Sequence, residues 1–268
     1  GDVLQVGAGT FDGGIVVDKA VGIYGDTSGG TTIDGGTYGV EVSSKDVTLM
    51  DLNVQNAVNG VILPEDNDVS NFSMIGGSIS DGYSGFYVQA RHWDADTSEN
   101  LTLAENMLVK GVEISNMVNK GTYMEAMNTN GDFATVFEDV TLDNCGYYGR
   151  QGGSHDGQHG TGMDFNLKFG DYQNLLITDS HLVDCGFSNG NPTGSAISFK
   201  ARDDSNYDDY TYPTATLSNA DVNGVDIGWS DDSMAADVGV RIGEMLDDGS
   251  ASNGDVTGQG PEVDFIDT

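Results

Sequence analysis

The chain contains 268 residues, of which 43 are acidic and 10 are basic, so the formal net charge at neutral pH is −33. A protein this acidic repels nucleic acids and anionic membranes, so we expect neither as a partner. Hydrophobic residues make up 37% of the chain. They form no run near the roughly 18 residues that a membrane span requires.

The two ends of the chain predict that it belongs to a longer, multi-module protein. Residues 3–6 form a predicted strand at the very start, with no cap before it. From Leu246 onward the sequence is rich in Gly, Asp, Ser and Thr and loses its periodicity, which is typical of a linker. We therefore expect residues 1–245 to form the folded domain and residues 246–268 to form a tail or a linker toward a further module.

Six short segments share one pattern. Each has an aliphatic residue at its fourth position, and five of the six end in Asn or Asp. The segments are 51–56, 76–81, 111–116, 139–144, 179–184 and 219–224. A constant pattern at irregular spacing predicts the successive turns of a solenoid with loops of different lengths between them.

A second set of short strands follows each of these segments after a glycine-containing turn. These strands cover 60–63, 85–88, 122–124, 162–165, 195–199 and 239–242. Each strand can cover only one face of a core, so the turns must stack, with neighbouring strands about 4.8 Å apart. The sequence therefore predicts an all-β, right-handed parallel β-helix of about seven turns. It also predicts a column of stacked Asn and Asp side chains at 56, 81, 116, 144 and 184 that hydrogen-bond along the axis.

The two cysteines occupy equivalent positions in neighbouring turns, because Cys145 follows Asn144 and Cys185 follows Asp184. Cα atoms at the spacing of stacked strands lie within the range that a disulfide tolerates. A bridged pair and a stacked pair of buried free thiols are both compatible with this placement.

The basic residues and the histidines are concentrated in one part of the chain. Eleven of the 14 Lys, Arg and His residues lie between Arg91 and Arg202. Stacking of the turns predicts a cationic edge formed by Arg91, His92, Lys168, Lys200 and Arg202, beside Tyr87, Gln89, Asp164 and Asn166. On so acidic a protein, this edge suits a polyanionic chain such as a uronate polysaccharide. The alternative is that the cations only neutralise stacked Asp residues.

A glycine-rich insertion at 147–160 adds further candidate residues, namely Tyr148, Arg150, His155 and His159. Two histidines can supply an acid/base pair near neutral pH. The alternative is an exposed loop without a chemical role.

Clustered aspartates raise the question of calcium. Ca²⁺ binds carboxylate and carbonyl oxygens, and the candidate ligands are Asp203, Asp204, Asp208 and Asp209. The alternative is that the excess of acidic residues keeps the protein soluble in a salty medium.

The opening of the chain resembles that of right-handed parallel β-helix proteins of the carbohydrate-binding and sugar-hydrolase class. The resemblance is carried by residues 1–11, 15–17 and 21–25 and extends over most of the chain. It implies a fold that lyases, epimerases, hydrolases, tailspikes and adhesins share, so the fold alone does not define the activity.

A second resemblance is to secreted mannuronan C5-epimerases, whose catalytic stretch reads Gly-Tyr-Gly-Phe-Asp-Pro-His-Glu. The corresponding stretch here is Gly160-Thr-Gly-Met-Asp164-Phe-Asn166. The two glycines and Asp164 match, whereas Phe165 and Asn166 stand in place of the family's Pro and His. Epimerase chemistry would therefore need another base, such as His155 or His159.

Two hypotheses about function follow. The first is an extracellular or cell-surface module that binds an acidic polysaccharide and processes it as a lyase or epimerase does. Its catalytic candidates are His155, His159, Tyr148, Lys200 and Arg202, and its substrate-binding candidates are Tyr87, Gln89, Arg91, His92, Arg150, Asp164, Asn166 and Lys168. The second is a non-catalytic surface protein, such as an adhesin, a sheath or an S-layer-like rod.

Overall fold

The computed structural model describes residues 1–90, 93–94, 99–127, 134–147, 160–168, 170–187, 194–201, 215–230, 236, 238–243 and 261–268. These residues form strands and turns, and none of them forms a helix. They therefore contain no helix of the length and hydrophobicity that crossing a membrane requires.

Three parallel sheets make up the described part of the fold. Sheet A has nine strands in the order β1 (Asp2–Gln5), β4 (Val21–Tyr24), β7 (Thr48–Met50), β10 (Ser73–Ile75), β15 (Leu108–Lys110), β18 (Thr135–Glu138), β21 (Asp171–Thr178), β24 (Thr216–Asn223) and β27 (Val263–Ile266). Sheet B has eight strands in the order β2 (Gly9–Asp12), β5 (Thr31–Asp34), β8 (Asn53–Gln55), β11 (Ser78–Ser80), β16 (Glu113–Ser115), β19 (Thr141–Asp143), β22 (His181–Val183) and β25 (Asp226–Gly228).

Sheet C completes each turn. Its eight strands are β3 (Ile15–Val17), β6 (Tyr38–Val42), β9 (Asn59–Leu63), β12 (Ser84–Val88), β17 (Lys120–Met124), β20 (Thr161–Leu167), β23 (Ser195–Ala201) and β26 (Val238–Ile242). A separate antiparallel pair joins β13 (Trp93–Asp94) to β14 (Glu99–Asn100).

The chain visits the three sheets in a fixed order, and each strand pairs in parallel with its equivalent one turn earlier and one turn later. This arrangement confirms the predicted right-handed parallel β-helix. The described strands make up eight turns, close to the predicted seven.

The core is a set of columns in which equivalent side chains stack from turn to turn. In sheet A, Val109 pairs with Phe137, which pairs with Ile177, and all three are buried. Phe137 of sheet A meets Phe165 of sheet C inside the coil, with ring centroids 5.8 Å apart, and Phe165 stacks on Phe199 of the next turn at 5.2 Å. The interior is therefore continuous along the axis.

Leu142 lies in the core column of sheet B, aligned with Ile114 and Leu182, and is fully buried as predicted. Replacing Leu142 with Ala is expected to cost about 2–5 kcal/mol, because the neighbouring turns cannot close the cavity completely. Urea unfolding measures this loss. Leu101→Ala is the control, since Leu101 is 40% exposed, and equal losses in the two variants would contradict the inward placement of Leu142.

From β7 onward, exactly two residues separate each sheet A strand from the following sheet B strand. The first of the two has a positive φ in every turn, for example 52° at Asp51, 65° at Gly76 and 54° at Asp139. Gly, Asp and Asn tolerate this left-handed conformation best. This backbone requirement explains why the repeated segments begin with Asp or Gly.

The position of this corner in the last turn differs from the position predicted for the last of the six segments. Thr178 pairs with Asn223, so Gly224 is the equivalent of Asp179. The segment predicted at 219–224 therefore lies one strand too early, and its true equivalent begins at Gly224. The prediction was wrong because the residues at the end of β24 alternate as those of the repeated pattern do. Val222 occupies the fourth, aliphatic position of the predicted segment, whereas Ile227 occupies this position in the true equivalent.

The predicted Asn/Asp column is present on the outside of the next corner. Asn116 Nδ2 donates to Asp81 Oδ1 at 3.1 Å, and Asn144 Nδ2 donates to Asn116 Oδ1 at 2.8 Å. One turn further, Asp184 Oδ1 accepts the backbone N–H of Ser230. These bonds link successive turns along the axis.

Cys145 and Cys185 are free thiols, both buried, in neighbouring turns. Cys145 Sγ contacts the carbonyl oxygen of Ile114 at 3.4 Å. Burial and the adjacent Cys185 raise the pKa of the Cys145 thiol well above its usual value. Of the two alternatives, the structure has the stacked thiols.

The end of the chain returns to sheet A. Strand β27, within the segment expected to be a tail, pairs in parallel with β24. Residues 244–260, which contain the expected boundary at 245/246, lie outside the described residues.

Candidate functional site

The buried Lys, Arg and Glu side chains of the described residues all belong to sheet C or to the residues just after its strands. We call five residues the ionic cluster: Lys120, Glu125, Asp164, Lys168 and Lys200, whose exposed fractions lie between 1% and 9%. Burying charges is costly unless they are paired. Their concentration on one sheet therefore marks this sheet as the candidate site.

The strand register places the cluster on the outer side of sheet C. Met124, Phe165 and Phe199 form a core column, so the residues next to them in sequence face outward. The resulting outer column runs through consecutive turns as Tyr87, Tyr123, Asp164, Ser198 and Arg241.

Asp164 is held between two lysines from different turns. Its Oδ2 lies 2.6 Å from Lys120 Nζ, and its Oδ1 lies 2.9 Å from Lys200 Nζ. Burial disfavours the ionised carboxylate, but the charges and hydrogen bonds of the two lysines outweigh it and hold the pKa of Asp164 well below its usual value. Asp164 is therefore ionised at every physiological pH.

Glu125 forms the second centre of the cluster. Its Oε1 accepts from Tyr123 OH at 3.1 Å and lies 3.0 Å from Lys168 Nζ. Its Oε2 accepts from Tyr87 OH at 3.1 Å and from the backbone N–H of Ala90 at 3.2 Å. Four donors from three turns therefore converge on this carboxylate.

Tyr123 links Glu125 to Asn166 and is aligned with Asp164 in the outer column. Its hydroxyl donates to Glu125 and accepts from Asn166 Nδ2 at 2.9 Å, and its ring stacks on that of Tyr87 with centroids 4.8 Å apart. Burial, and then the charges of Glu125 and Asp164, raise the pKa of the Tyr123 phenol well above its usual value. Tyr123 is half-buried, so part of its side chain reaches solvent while its hydroxyl is engaged with Glu125 and Asn166.

The variable connections of the solenoid flank this sheet. The corner from sheet A to sheet B has only two residues from β7 onward. By contrast, one connection from sheet B to sheet C is long, because β19 ends at Asp143 and β20 begins at Thr161. On the other side, β23 ends at Ala201 and β24 begins at Thr216. Long loops on a rigid scaffold are where binding and catalytic residues concentrate.

Five of the residues predicted from the sequence come together here. Tyr87, Asp164, Asn166, Lys168 and Lys200 all belong to the hydrogen-bonded network, and half-buried Gln89 lies just beyond β12. Lys168 and Lys200 are paired with carboxylates of the protein. Each of these two lysines therefore neutralises a buried carboxylate, Glu125 for Lys168 and Asp164 for Lys200.

The other predicted residues lie outside the described residues. They are the catalytic candidates Tyr148, His155, His159 and Arg202, the binding candidates Arg91, His92 and Arg150, and the calcium candidates Asp203, Asp204, Asp208 and Asp209. Within the described ranges, no group of three or more His, Cys, Asp or Glu residues could hold a metal ion.

Sequence analysis did not select Lys120 and Tyr123, and Lys120 was missed for a physical reason. A Cβ on Gly121 would lie 2.5 Å from Leu142 in the core, and Thr122 is buried in the core column as well. Two successive core-facing positions shift the alternation and bring Lys120 to the outer side. Tyr123 could have been found, because it is the outward residue aligned with Tyr87 and Asp164.

No protein-family model matches the sequence, and no curated protein matches it. Among solved structures, the chain is similar to the catalytic domain of a GH87 alpha-1,3-glucanase in complex with tetrasaccharides, with 11% identity and a TM-score of 0.40 over 98% of this chain. A second such catalytic domain with tetrasaccharides has 10% identity and a TM-score of 0.33 over 89% of this chain. The chain spans 63% of the length of both.

Proposed function

We propose that this protein binds an acidic polysaccharide along the outer side of sheet C and processes it there. The observation that carries the proposal is the ionic cluster, which is confined to one side of one sheet over consecutive turns. A β-helix can be stabilised by apolar contacts alone, whereas buried ionisable groups with shifted pKa values concentrate at functional sites. The long connections on both sides of sheet C support the same location.

The geometry of the outer column favours a polymer as the ligand. Equivalent side chains repeat about every 4.8 Å along the axis, so an extended chain crossing the strands meets a new side chain at each turn. The rings of Tyr87 and Tyr123 stack beside the buried charges of Asp164 and Lys200, and half-buried Tyr123 brings an apolar face to the outside of the sheet. Sugar rings have both apolar faces and polar edges, and this combination suits them.

Tyr123 is the residue best suited to donate a proton. Breaking a glycosidic linkage, by elimination or hydrolysis, requires a proton for the departing oxygen. The raised pKa keeps the phenol protonated, and the departing alkoxide is more basic still, so the transfer is favourable. In elimination, a base removes the C5 proton of a uronate, a C4–C5 double bond forms, and the C4–O bond breaks as its oxygen takes the Tyr123 proton.

Residues of the long connections complete this proposal. His155, His159 and Tyr148 are the candidates for the base, and Arg202 and Arg150 are candidates for neutralising the uronate carboxylate. An acidic, glycan-processing protein of this kind fits an extracellular or cell-surface location.

A second candidate function is that of a non-catalytic surface rod. The observation that favours it is the pairing of Lys120, Lys168 and Lys200 with carboxylates of the same network. Such a network can hold the turns in register without having any chemical role.

Incubation of the wild-type protein with alginate, pectate and a neutral glucan separates these functions. Absorbance of unsaturated sugars reports elimination, reducing ends without unsaturation report hydrolysis, and altered sugar composition without cleavage reports epimerisation. We expect action on an acidic polymer and weaker binding as salt screens the charges. If no polymer is bound or altered, the rod function is supported instead.

A further inference from the structure

The hydroxyl of Tyr123 is held by side chains from two neighbouring turns. It lies 3.1 Å from Glu125 Oε1 and 2.9 Å from Asn166 Nδ2. Glu125 belongs to the same turn as Tyr123, whereas Asn166 lies on β20, one turn later. Asn166 is only 5% exposed. Its amide is therefore fixed against the phenol oxygen by the packing of the turns.

The direction of the two hydrogen bonds follows from the number of protons at hand. A phenol has one proton to donate, and a carboxylate can only accept. The phenol proton therefore goes to Glu125, so the amide N–H of Asn166 must be the donor in the second bond. Glu125 thus holds the proton of Tyr123, while Asn166 holds its oxygen.

The charged and titratable groups around Tyr123 mostly oppose the loss of this proton. Burial raises the pKa of the phenol most, and the negative charges of Glu125 and Asp164 and the neighbouring phenol of Tyr87 raise it further. The ammonium of Lys120 lies 5.7 Å from the centroid of the Tyr123 ring. Its Nζ contacts Asp164 at 2.6 Å, so this positive charge is directed to the carboxylate.

Asn166 acts in the opposite direction. A hydrogen bond donated to the ionised form of an acid favours that form, and the bond from Asn166 lowers the pKa of Tyr123. A hydrogen bond to a charged oxygen is also roughly twice as strong as one to a neutral oxygen. The bond from Asn166 therefore strengthens as the phenol loses its proton. Only interactions that strengthen on the way to the transition state accelerate the chemical step.

We propose that Asn166 is a positioning residue for proton transfer by Tyr123, an inference that rests on the proposed function and deepens it. As the hydroxyl turns from Glu125 to the substrate, its O–H bond breaks and the proton bonds to the departing glycosidic oxygen. The electron pair stays on the phenolate oxygen. Asn166 holds this oxygen throughout and stabilises its negative charge, and water returns a proton before the next turnover.

The test compares Asn166→Leu, which removes the donor at similar volume, with the control Asn53→Leu. Asn53 also donates an amide hydrogen bond to a neighbouring turn, at 2.7 Å to the carbonyl oxygen of Gly29, but it lies on sheet B. Asn166→Ala removes the same donor without adding bulk and takes the place of Asn166→Leu if that variant does not fold, which urea unfolding checks.

Two measurements are made on each protein. In the first, Tyr123 is replaced by a trifluorotyrosine, whose ring fluorines make the phenol acidic enough to ionise while the protein is folded. Fluorine NMR over a range of pH then gives the acidity of this one phenol and requires no substrate. In the second, initial rates of polysaccharide processing are measured with the natural tyrosine in place, which gives kcat and KM.

We expect Asn166→Leu to make the phenol at position 123 about tenfold less acidic, because the donor to the phenolate is lost. The kcat should fall at least about tenfold with little change in KM, because a weaker acid transfers its proton more slowly. Asn53→Leu should leave the phenol acidity, kcat and KM as in the wild type. An amide with a merely structural role would lower stability without changing the acidity of the phenol.

Unchanged phenol acidity in the Asn166 variants, or an equal change in Asn53→Leu, would overturn the proposal. A less acidic phenol in a protein whose wild type acts on no polysaccharide would leave the effect of Asn166 on Tyr123 standing while the proposed function fails. Processing by the wild type with a kcat that Asn166→Leu does not lower would do the reverse.

Discussion

Replacing Asp164 with Asn is expected to lower the free energy of unfolding by about 3–5 kcal/mol, the usual cost of removing one partner from a buried ionic group. Asn keeps the volume of Asp but removes the charge that both Lys120 and Lys200 contact. Urea unfolding at neutral pH measures the loss. The control is Asp226→Asn, because Asp226 pairs with His181 on the surface and its side chain is 81% exposed, so this change should cost less than about 1 kcal/mol.

The same interaction predicts how stability depends on pH. The pKa of Asp164 is lower in the folded protein than in the unfolded chain, where it is about 3.9. The contribution of Asp164 is therefore fully present above about pH 4 and is lost as the pH falls toward the folded-state pKa. As the pH falls from about 4 toward the folded-state pKa, the wild type should lose stability more steeply than Asp164→Asn. Parallel curves for the two proteins would contradict the lowered pKa of Asp164.

A triple variant distinguishes a structural role of the ionic cluster from a functional one. Replacing Lys120 and Lys200 with Met and Asp164 with Leu removes all three charges at once. Buried ionic groups are often replaced by apolar residues at little cost, so this variant should be about as stable as the wild type. If the cluster is the functional site, the variant should still have lost its action on the polysaccharide.

Replacing Tyr123 with Phe is expected to lower the rate of polysaccharide processing by about 10²–10⁴-fold, the usual contribution of a positioned acid. The change removes one hydroxyl and keeps the ring that stacks on Tyr87. Binding of the polymer should change little, so the loss should appear in kcat rather than in KM. Initial rates over a range of polymer concentrations measure both quantities.

Tyr24→Phe is the matched control, because Tyr24 is a half-buried tyrosine on the outer side of sheet A. The pH profile gives a second readout for Tyr123. A proton donor works only while it is protonated, and its pKa is raised well above the usual value of about 10. Activity should therefore persist to the alkaline limit of folding, and full activity of Tyr123→Phe would reduce Tyr123 to a residue that positions Glu125.

Much of the fold could be predicted from the sequence because a solenoid repeats local rules. From β7 onward, the corner from sheet A to sheet B requires a positive φ, and this leaves Asp or Gly at positions such as 51, 76 and 139. Alternating apolar residues such as Leu142 and Leu182 mark the core column. These requirements act over a few residues, so the sequence by itself determined the β-helix, its inward side chains and the alignment of Cys145 with Cys185.

The site was predicted only in part, since it depends on contacts between residues about 35 to 43 positions apart in sequence. Sequence reasoning placed Asp164, Lys168 and Lys200 on one side of sheet C, but it treated the lysines as cations available to a substrate. The tertiary structure decided that Lys200 shares Asp164 with Lys120, and that Tyr123 lies between Glu125 and Asn166. These pairings follow from how the turns stack and from the doubled core-facing positions at Gly121 and Thr122, because side chains from different turns meet only after the register between turns is set.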